Sequence, residues 1–535
     1  MSILAWLASR LPRARSRAVP AGAPALLRTP AEGEVEGAAR AAFDAGLAAY
    51  SCTDFATAIA CFNRALQSRH DDADAHNNLG LSYLGLGRSE DAMDAFVLAI
   101  HFRPQFPQAF YNRALAALQR GDVREVVTCL EQAIELKPDF VAAYSTLGYV
   151  LGHQAGEPEL GAAHIRKALA LSPADPDVLC NYSAVLAQEG RAGEALEICQ
   201  QLLAAHPDMH EARLNRALAR LKLGQYSQAW PDYEARKLAR GNYVPRLLPL
   251  PEWQGQALGG KKLLIYAEQG LGDQIMFASC VPDVLKQVES CLIECAPKLV
   301  ALFRRSFPSA TIESQALGDA SLARLAQATG VDYQVAIGSL PAQFRRHRSD
   351  FPSHVGYLHA EPARIDFWKR RLDALGPGLK IGISWSGGAP ATRGAGRSTQ
   401  LAAWLPILQQ TACHFVNLQY GNAGGELQAI KAIARERPPV IHDWREAIDN
   451  YAETAALVTA LDLVISVQTA LVHLAGALGK PAWVILQAAS EWRYGEQSEA
   501  MPWYPGVRLL RQPRPGDWQS VIMRIGQDVA QLARH

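Results

Sequence analysis

The stretch "AEQGLGDQIMF", Ala267–Phe277, puts a carboxylate on a tight bend between an apolar run, "KKLLIY", and the start of a helical pattern. Gly270 and Gly272 bracket Leu271, and Asp273 follows. Glycines leave the backbone bare toward a ligand or a facing domain and accept angles that other residues resist. At the first turn of a helix, Asp273 gains from free amide groups. A helix cap accounts for the acid, but not for two glycines ahead of it after a strand. Read as chemistry, Asp273 is a general base that takes the proton of an attacking hydroxyl, and Glu268 is a rival for that role. The bend lacks the Lys-Ser/Thr ending of a nucleotide P-loop and the three-glycine spacing of the dinucleotide fingerprint.

A second strand-to-helix turn lies in "LDLVISVQTALVHLAGALGKPAWVIL". Its strand ends near Ser466, its helix runs from about Thr469 to Leu478, and Pro481 opens the next strand. The free amides of Thr469, Ala470 and Leu471 suit a diphosphate. Thr469 adds a hydroxyl, Gln468 directly precedes it, and His473 can reach a phosphate or a donor sugar. The glycine-rich "WSGGAPATRGAGRST" contributes Arg397 and, second to it, Arg393, both suited to phosphate oxygens; a solvated loop is the alternative. Gln419, just past the strand "HFVNL", is placed at the base or ribose. In "ILQAASEWRYG", Trp492 and Arg493 pack under the base or brace the loop, with ordinary packing an equal alternative for Trp492.

The elements that must hold these residues fall into two halves. In the first, Gly46, Ala58, Phe62 and Ala65 are answered 34 residues later by Gly80, Ala92, Phe96 and Ala99. Gly121, Ala133 and Pro138 continue the series, then Leu147, Gly148, Ala168 and Pro173, then Gly190, Ala195 and Pro207, then Gly224 and Ala229. One residue is inserted near "HQAGEPELG". This is the tetratricopeptide period, in which small residues let paired helices approach and larger ones fill the groove. About six repeats are expected over 38–240, with a concave face for a polypeptide. Phe102, Phe106, Phe110 and Tyr111 cluster at one inter-repeat turn, as core or as a binding patch.

After a Pro- and Gly-rich linker, 241–260, short apolar runs alternate with helical stretches, the mark of parallel sheets. "QIMFASCVPDVLKQV" is a helix that Pro282 bends or splits. Two open α/β, Rossmann-like domains are expected, 261–375 and 376–535, with both turns pointing into the crevice beyond the strand ends.

Composition excludes several classes. With 53 basic and 52 acidic residues the net charge is +1, which gives no electrostatic case for nucleic acid. Nine scattered cysteines read as buried thiols in a reducing, cytoplasmic setting. Cys291 and Cys295 lack companions for a zinc set. Segment 1–37 holds five arginines before its first acid, Glu32, and reads as a flexible or amphipathic tail with at most weak membrane contact.

Taken together, "PEWQGQALGGKKLLIYAEQGLGDQIMF", "KIGISWSGG" with "GRS", "NLQYG", "TAALVTALDLVISVQTALVHLAGALGKPAWVIL" and "AMPWYPGVRLLRQPRPGDW" resemble a bacterial group. In it, tetratricopeptide repeats are fused to a GT-B glycosyltransferase domain similar to the lipopolysaccharide heptosyltransferases of glycosyltransferase family 9. More distantly the chain is similar to repeat-bearing protein O-glycosyltransferases. The resemblance spans about residues 40 to 530. It implies sugar transfer from a nucleotide-sugar to an acceptor hydroxyl, with inversion, without a metal and without a permanently bound cofactor. It assigns Asp273 as base, turns His473 toward the donor diphosphate and gives Arg397 its neutralisation. It also implies a protein acceptor on the repeats, flagellin or a surface protein in some such systems. One departure stands out: the family commonly has Asp or another short polar residue where this chain has Gln468. A non-catalytic nucleotide-binding scaffold, built on a decayed transferase, is the alternative that this departure favours.

Overall fold

The computed structural model describes residues 34–239, 246, 248–351, 353, 356–387, 394–434 and 438–534. Most of the expected N-terminal tail, part of the expected linker, and Arg393 lie outside the described residues. The chain divides into two compact units, one running to Asn215 and the other resuming at Arg216.

The first unit is a tetratricopeptide superhelix of helix pairs. Glu34–Ser51 pairs with Phe55–Ser68, Ala73–Gly85 with Ser89–Phe102, and Pro107–Arg120 with Val123–Leu136. Val141–Val150 pairs with Pro158–Leu171, and Pro176–Gln188 with Ala192–Ala205. The small residues do what the period requires: a Cβ on Gly80 would come within 2.6 Å of the Phe96 ring, and one on Gly46 within 2.7 Å of Phe62. The turns inside five successive pairs, the last beyond this unit, hold Gly87, Gly121, Gly156, Gly190 and Gly224 at φ between 73° and 79°, a left-handed conformation that glycine adopts without a Cβ clash. Asp72, Asp122 and Asp175 cap their helices by accepting backbone amides. The inserted residue of the fourth repeat is absorbed as a π-helical turn, Leu151–Ala155, the usual outcome of adding one residue to an α-helix. Of the aromatic group at 102–111, Phe106 and Tyr111 are core, while Phe102 is stacked on His76 at 5.4 Å.

A sixth pair, His210–Lys222 and Tyr226–Tyr233, crosses the division, so the repeat pattern outlasts the first unit. In the second unit, the helix Tyr226–Tyr233 sits in an aromatic cluster with the sheets. Trp230 lies 6.1 Å from Trp492 and 6.4 Å from Trp503, and its indole N–H donates to the Arg345 carbonyl at 2.7 Å.

The second unit contains two sheets. The first has parallel strands β1 (Lys262–Tyr266), β2 (Ser290–Cys295), β3 (Ala310–Ser314) and β4 (Tyr333–Ala336), in the order β3-β2-β1-β4. The second has β5 (Leu379–Ser384), β6 (Cys413–Asn417), β7 (Ile441–His442), β8 (Leu463–Val467), β9 (Ala482–Leu486), β10 (Ala500–Met501) and β11 (Tyr504–Arg511). Their order is β10-β11-β9-β8-β5-β6-β7, parallel except at the β10–β11 edge. β5 and β8 are buried apolar runs, as strands covered on both faces must be. The helix after β1 is split: Leu271–Phe277, a 3₁₀ turn at Ala278–Cys280, then Val281–Leu285 with Pro282 in its first turn. Among the described residues, no helix is long and apolar enough to cross a membrane.

Candidate active site

Strand order decides where ligands can enter. From β1 the chain moves outward to β2 and β3, then returns to β4 on the other side, so β1 and β4 flank a switch point. From β5 it moves to β6 and β7, then returns to β8, making a second switch point between β5 and β8. Open parallel sheets bind ligands beyond the strand ends at such points. The loop after β1 is Ala267–Gly270; the loop after β5 begins with Trp385–Gly387, and the loop after β8 is Gln468–Thr469.

These turns come together. Gly272, on the helix Leu271–Phe277, faces the helix Ala470–Ala477: a Cβ on Gly272 would stand 3.0 Å from His473 Cδ2 and 3.4 Å from Ala470 Cα. Gly387 lies as close to Thr469, whose Cγ2 would be 2.3 Å from an added Cβ. Glycine at both positions therefore permits close approach of backbone, in addition to any bareness toward a ligand. Gly270 is exposed, while Gly272, Asp273, Thr469 and Ala470 are half-buried, so neither turn is sealed.

The bend itself is strained. Gln269 holds φ at 61°, and its amide is tied to the Tyr233 hydroxyl at 3.0 Å. Asp273 follows as the third residue of its helix and accepts the Gly270 N–H on Oδ2 at 3.3 Å. Its other oxygen, Oδ1, accepts Arg493 Nε at 2.7 Å and also Arg493 Nη2. Arg493 Nη1 donates to Glu491 at 2.8 Å, and Arg397 Nη1 donates to the other oxygen of Glu491 at 3.1 Å. The four side chains form an alternating row, Arg397–Glu491–Arg493–Asp273, each at most 26 % exposed. Burial by itself disfavours the Arg493 charge; Asp273 and Glu491 more than reverse that and hold the guanidinium protonated.

The expected site residues separate here. Glu268, the rival base, is buried, accepts Arg236 Nη2 at 2.7 Å and takes the Gly338 N–H at 3.0 Å, so its charge is spent on a structural ion pair. Gln419 does not present its amide to a base or ribose. Its Oε1 accepts Ser384 Oγ at 3.1 Å, Trp385 N at 3.1 Å and Ser386 N at 2.9 Å, and its Nε2 donates to the carbonyls of Ser386 and Tyr420, which fills its capacity. Trp492 belongs to the aromatic cluster, 5.8 Å from Tyr233 and 6.4 Å from Phe277, with the Arg493 guanidinium over its ring. Thr469 caps the helix through Leu471 N at 3.2 Å and is joined to Ser466 Oγ at 3.2 Å, which replaces any capping by Gln468. Gln468 is 2 % exposed, and neither atom of its carboxamide has a hydrogen-bond partner among the described residues. Such orphans are rare in folded proteins and ask for a ligand or an ordered water.

His473 is buried, with Nδ1 3.2 Å from the Tyr504 hydroxyl. Burial first, and Arg493 second, push its pKa down to about 4, against the pull of Asp273 and Glu491. It is therefore a neutral ring near pH 7. The folded chain binds this proton less readily than the unfolded chain, whose histidine titrates near 6.5. Its contribution is complete above pH 6.5 and drains as pH falls toward 4, about 3 kcal/mol in all. Thermal unfolding from pH 7 to pH 4.5 is expected to show a shallower loss of stability in His473→Gln than in the parent; equal slopes would refute the assignment.

Arg493 was not resolved as the partner of Asp273 from sequence, although its place in the loop after β9, beyond the carboxyl end of a strand near the switch point, was the available signal. Trp230 stands where the previous repeat has Leu196, and this change from an aliphatic side chain to an indole is the sequence signal of a packing site outside the repeat pattern. Among the described residues, no group of three His, Cys, Asp or Glu side chains could hold a metal ion.

Comparison with known proteins adds the lineage. Models described as tetratricopeptide repeat match residues 46–87, 73–106, 111–176 and 183–243. Protein FlbA of Caulobacter vibrioides is 30% identical over 498 residues, covering 90% of this chain and 82% of that protein. The chain belongs to the FlbA family. A match to FlbA of that length takes in parts of both units of this chain. Protein O-mannosyl-transferase Tmtc3 of Drosophila melanogaster is 26% identical over 192 residues, covering 35% of this chain and 20% of that protein. A thermophilic tetratricopeptide-repeat protein of Thermus thermophilus is 22% identical, with a TM-score of 0.31, covering 34% of this chain and all of that structure.

Proposed function

We propose that this FlbA relative is an inverting, metal-independent glycosyltransferase of GT-B architecture, moving a sugar from a nucleotide-sugar to a hydroxyl of a polypeptide held by the repeats. The observation that carries the reading is the meeting of two switch-point turns, one bearing Asp273 and the other the open tip of the helix Ala470–Ala477. In this reading Asp273 accepts the proton of the attacking hydroxyl. The amides at Thr469 and Ala470, with Arg397 and Arg493, stabilise the charge that grows on the departing diphosphate. The orphan carboxamide of Gln468 supports a ligand at the same place. The name of Tmtc3 supports the reaction class alone, since the match covers a fifth of that protein. Repeats of this kind hold polypeptides, which supports a protein acceptor.

One observation favours a second reading. Gln468, where the resembling family commonly has Asp or another short polar residue, supports a scaffold that binds nucleotide without turnover. Mass spectrometry of cellular proteins with and without the gene separates the two. A sugar-sized mass on a partner protein, lost on deletion, is the expected result. Tight nucleoside diphosphate binding with no such mass and no donor hydrolysis would establish the scaffold instead.

A further inference from the structure

We propose that Tyr233, at the end of the final repeat, is a positioning residue for Asp273: it holds the bend after β1 through Gln269, backs the Trp492–Arg493 pair with its ring, and so aims the carboxylate. This rests on the reading of Asp273 as base and adds the part of the chain that sets it.

The bend is a place where the backbone needs outside help. Among the described residues, Thr53 and Gln269 are the non-glycine residues at positive φ, and Gln269 stands at 61°. A left-handed residue that carries a side chain persists where its surroundings over-determine it. Here one turn of the repeat does so. The Tyr233 hydroxyl donates to Gln269 Oε1 at 3.2 Å and accepts Gln269 Nε2 at 3.0 Å. Three residues on, in the 3₁₀ turn Glu234–Lys237, Arg236 donates through Nη2 to Glu268 Oε1 at 2.7 Å. The Arg236 guanidinium also lies over the Tyr233 ring, 4.7 Å from its centre. Adjacent side chains of an extended chain point to opposite faces. Glu268 and Gln269 are adjacent, yet both meet this single turn, which the left-handed conformation of Gln269 allows.

Two short paths lead from Tyr233 to the two oxygens of Asp273. The peptide between Gln269 and Gly270 carries the Gly270 N–H, which Asp273 Oδ2 accepts at 3.3 Å. Rotation at Gln269 swings that N–H away. On the other path, the Tyr233 ring lies 5.8 Å from the Trp492 ring. Arg493 follows Trp492 in the chain, lies over its ring at 4.7 Å and donates through Nε to Asp273 Oδ1 at 2.7 Å. Tyr233 is buried, which pushes its pKa up to about 12, so its hydroxyl keeps its proton near pH 7 and remains a donor to the bend.

The hold extends through the sixth helix pair. Asp232, directly before Tyr233, accepts Arg216 Nε at 2.7 Å and Arg220 Nη1 at 2.6 Å, both from the helix His210–Lys222. Whatever moves this pair of helices moves Tyr233 with it.

Hydrogen exchange of the full-length protein, read by mass spectrometry on peptides covering 268–275, tests the hold without using activity. Tyr233→Phe keeps the ring and removes the hydroxyl. It is expected to speed exchange there about tenfold, the worth of one good hydrogen bond, while β5 and β8 exchange as in the parent. Gln269→Ala is expected to do the same from the other partner, and serves if Tyr233→Phe does not fold. The double variant is expected to be no faster than either single one, since both act through one contact. With Gln269→Gly in place of Gln269→Ala in that double variant, exchange is expected to slow about fivefold, because glycine adopts the left-handed bend without a Cβ clash. A part limited to packing gives no such recovery. Parental exchange at 268–275 in the single variants, effects that multiply in the double variant, or no recovery with glycine would overturn the proposal.

The sugar-sized mass on the partner protein, read in cells carrying each variant, ties the hold to the chemistry. Tyr233→Phe is expected to lower it by about tenfold or more, as misplacing a reacting group does. Full addition by Tyr233→Phe beside none by Asp273→Asn would overturn the positioning and leave the base standing. Full addition by Asp273→Asn would overturn the base itself. No sugar in the parent would overturn the proposed function, and the exchange rates would still decide whether Tyr233 holds the bend.

Discussion

Asp273→Asn is expected to lower sugar transfer by about 10²- to 10⁴-fold, the range usual for removing a general base, while the protein still folds. The fold survives because the amide oxygen still accepts the Gly270 N–H and Arg493 keeps Glu491 as its partner. The partly buried pair with Arg493 is weakened, so a stability loss of about 1–2 kcal/mol accompanies the change. Initial rates with saturating donor, read beside thermal unfolding, separate the two effects. The loss belongs in kcat, because the carboxylate acts on the acceptor proton after both substrates are bound. Full transfer by the variant would remove Asp273 from the chemistry and leave it as a helix cap with an arginine partner.

Glu268→Gln is expected to behave in the opposite way. Glu268 and Arg236 are both buried, and Arg236 is further tied to Ser339 at 2.7 Å and Glu234 at 2.7 Å. Burial alone would disfavour the Arg236 charge, and Glu268 with Glu234 restores it. Removing one charge leaves the other without its main partner in a low-dielectric place, which costs about 3–5 kcal/mol when a buried pair is broken. The folded fraction retains its turnover, since the group touches no reacting atom. A denaturant titration shows the lost stability, and a rate corrected for the folded fraction shows the retained chemistry. A Glu268→Gln protein of parental stability with abolished transfer would reverse the two acids. Run together, the two variants form a crossed pair in which each acid loses only its own property.

Much of the architecture was legible in the sequence because it depends on local, periodic features. The 34-residue recurrence of small and large residues needs only neighbouring repeats to be satisfied, so it survives reading in one dimension. Even the inserted residue announced itself, and it returned as the π-turn at Leu151–Ala155. Strand and helix alternation likewise foretold parallel sheets, since apolar runs and amphipathic stretches are short-range signals. Pro282 split its helix as a residue without an amide must.

The division of labour among the polar residues was not legible, for a different reason. Asp273 and Glu268 both follow β1 and are both acids; what separates them is Arg493, 220 residues away from the first, and Arg236, 32 residues from the second. Gln419 lay in the right loop, yet its five bonds to backbone and Ser384 are visible only once β5 and β6 stand side by side. Trp492 lay in the right turn, yet it packs against an aromatic helix that begins at Tyr226, in the final repeat. The sequence by itself determined the repeats, the sheets and the two bare turns, because each arises from contacts between residues near in the chain. Only the tertiary structure decided which partner each charge takes, Arg236 for Glu268 and Arg493 for Asp273. A charge in a folded protein takes its meaning from whichever partner and whatever burial surround it, and both are set by chain segments that meet only after folding.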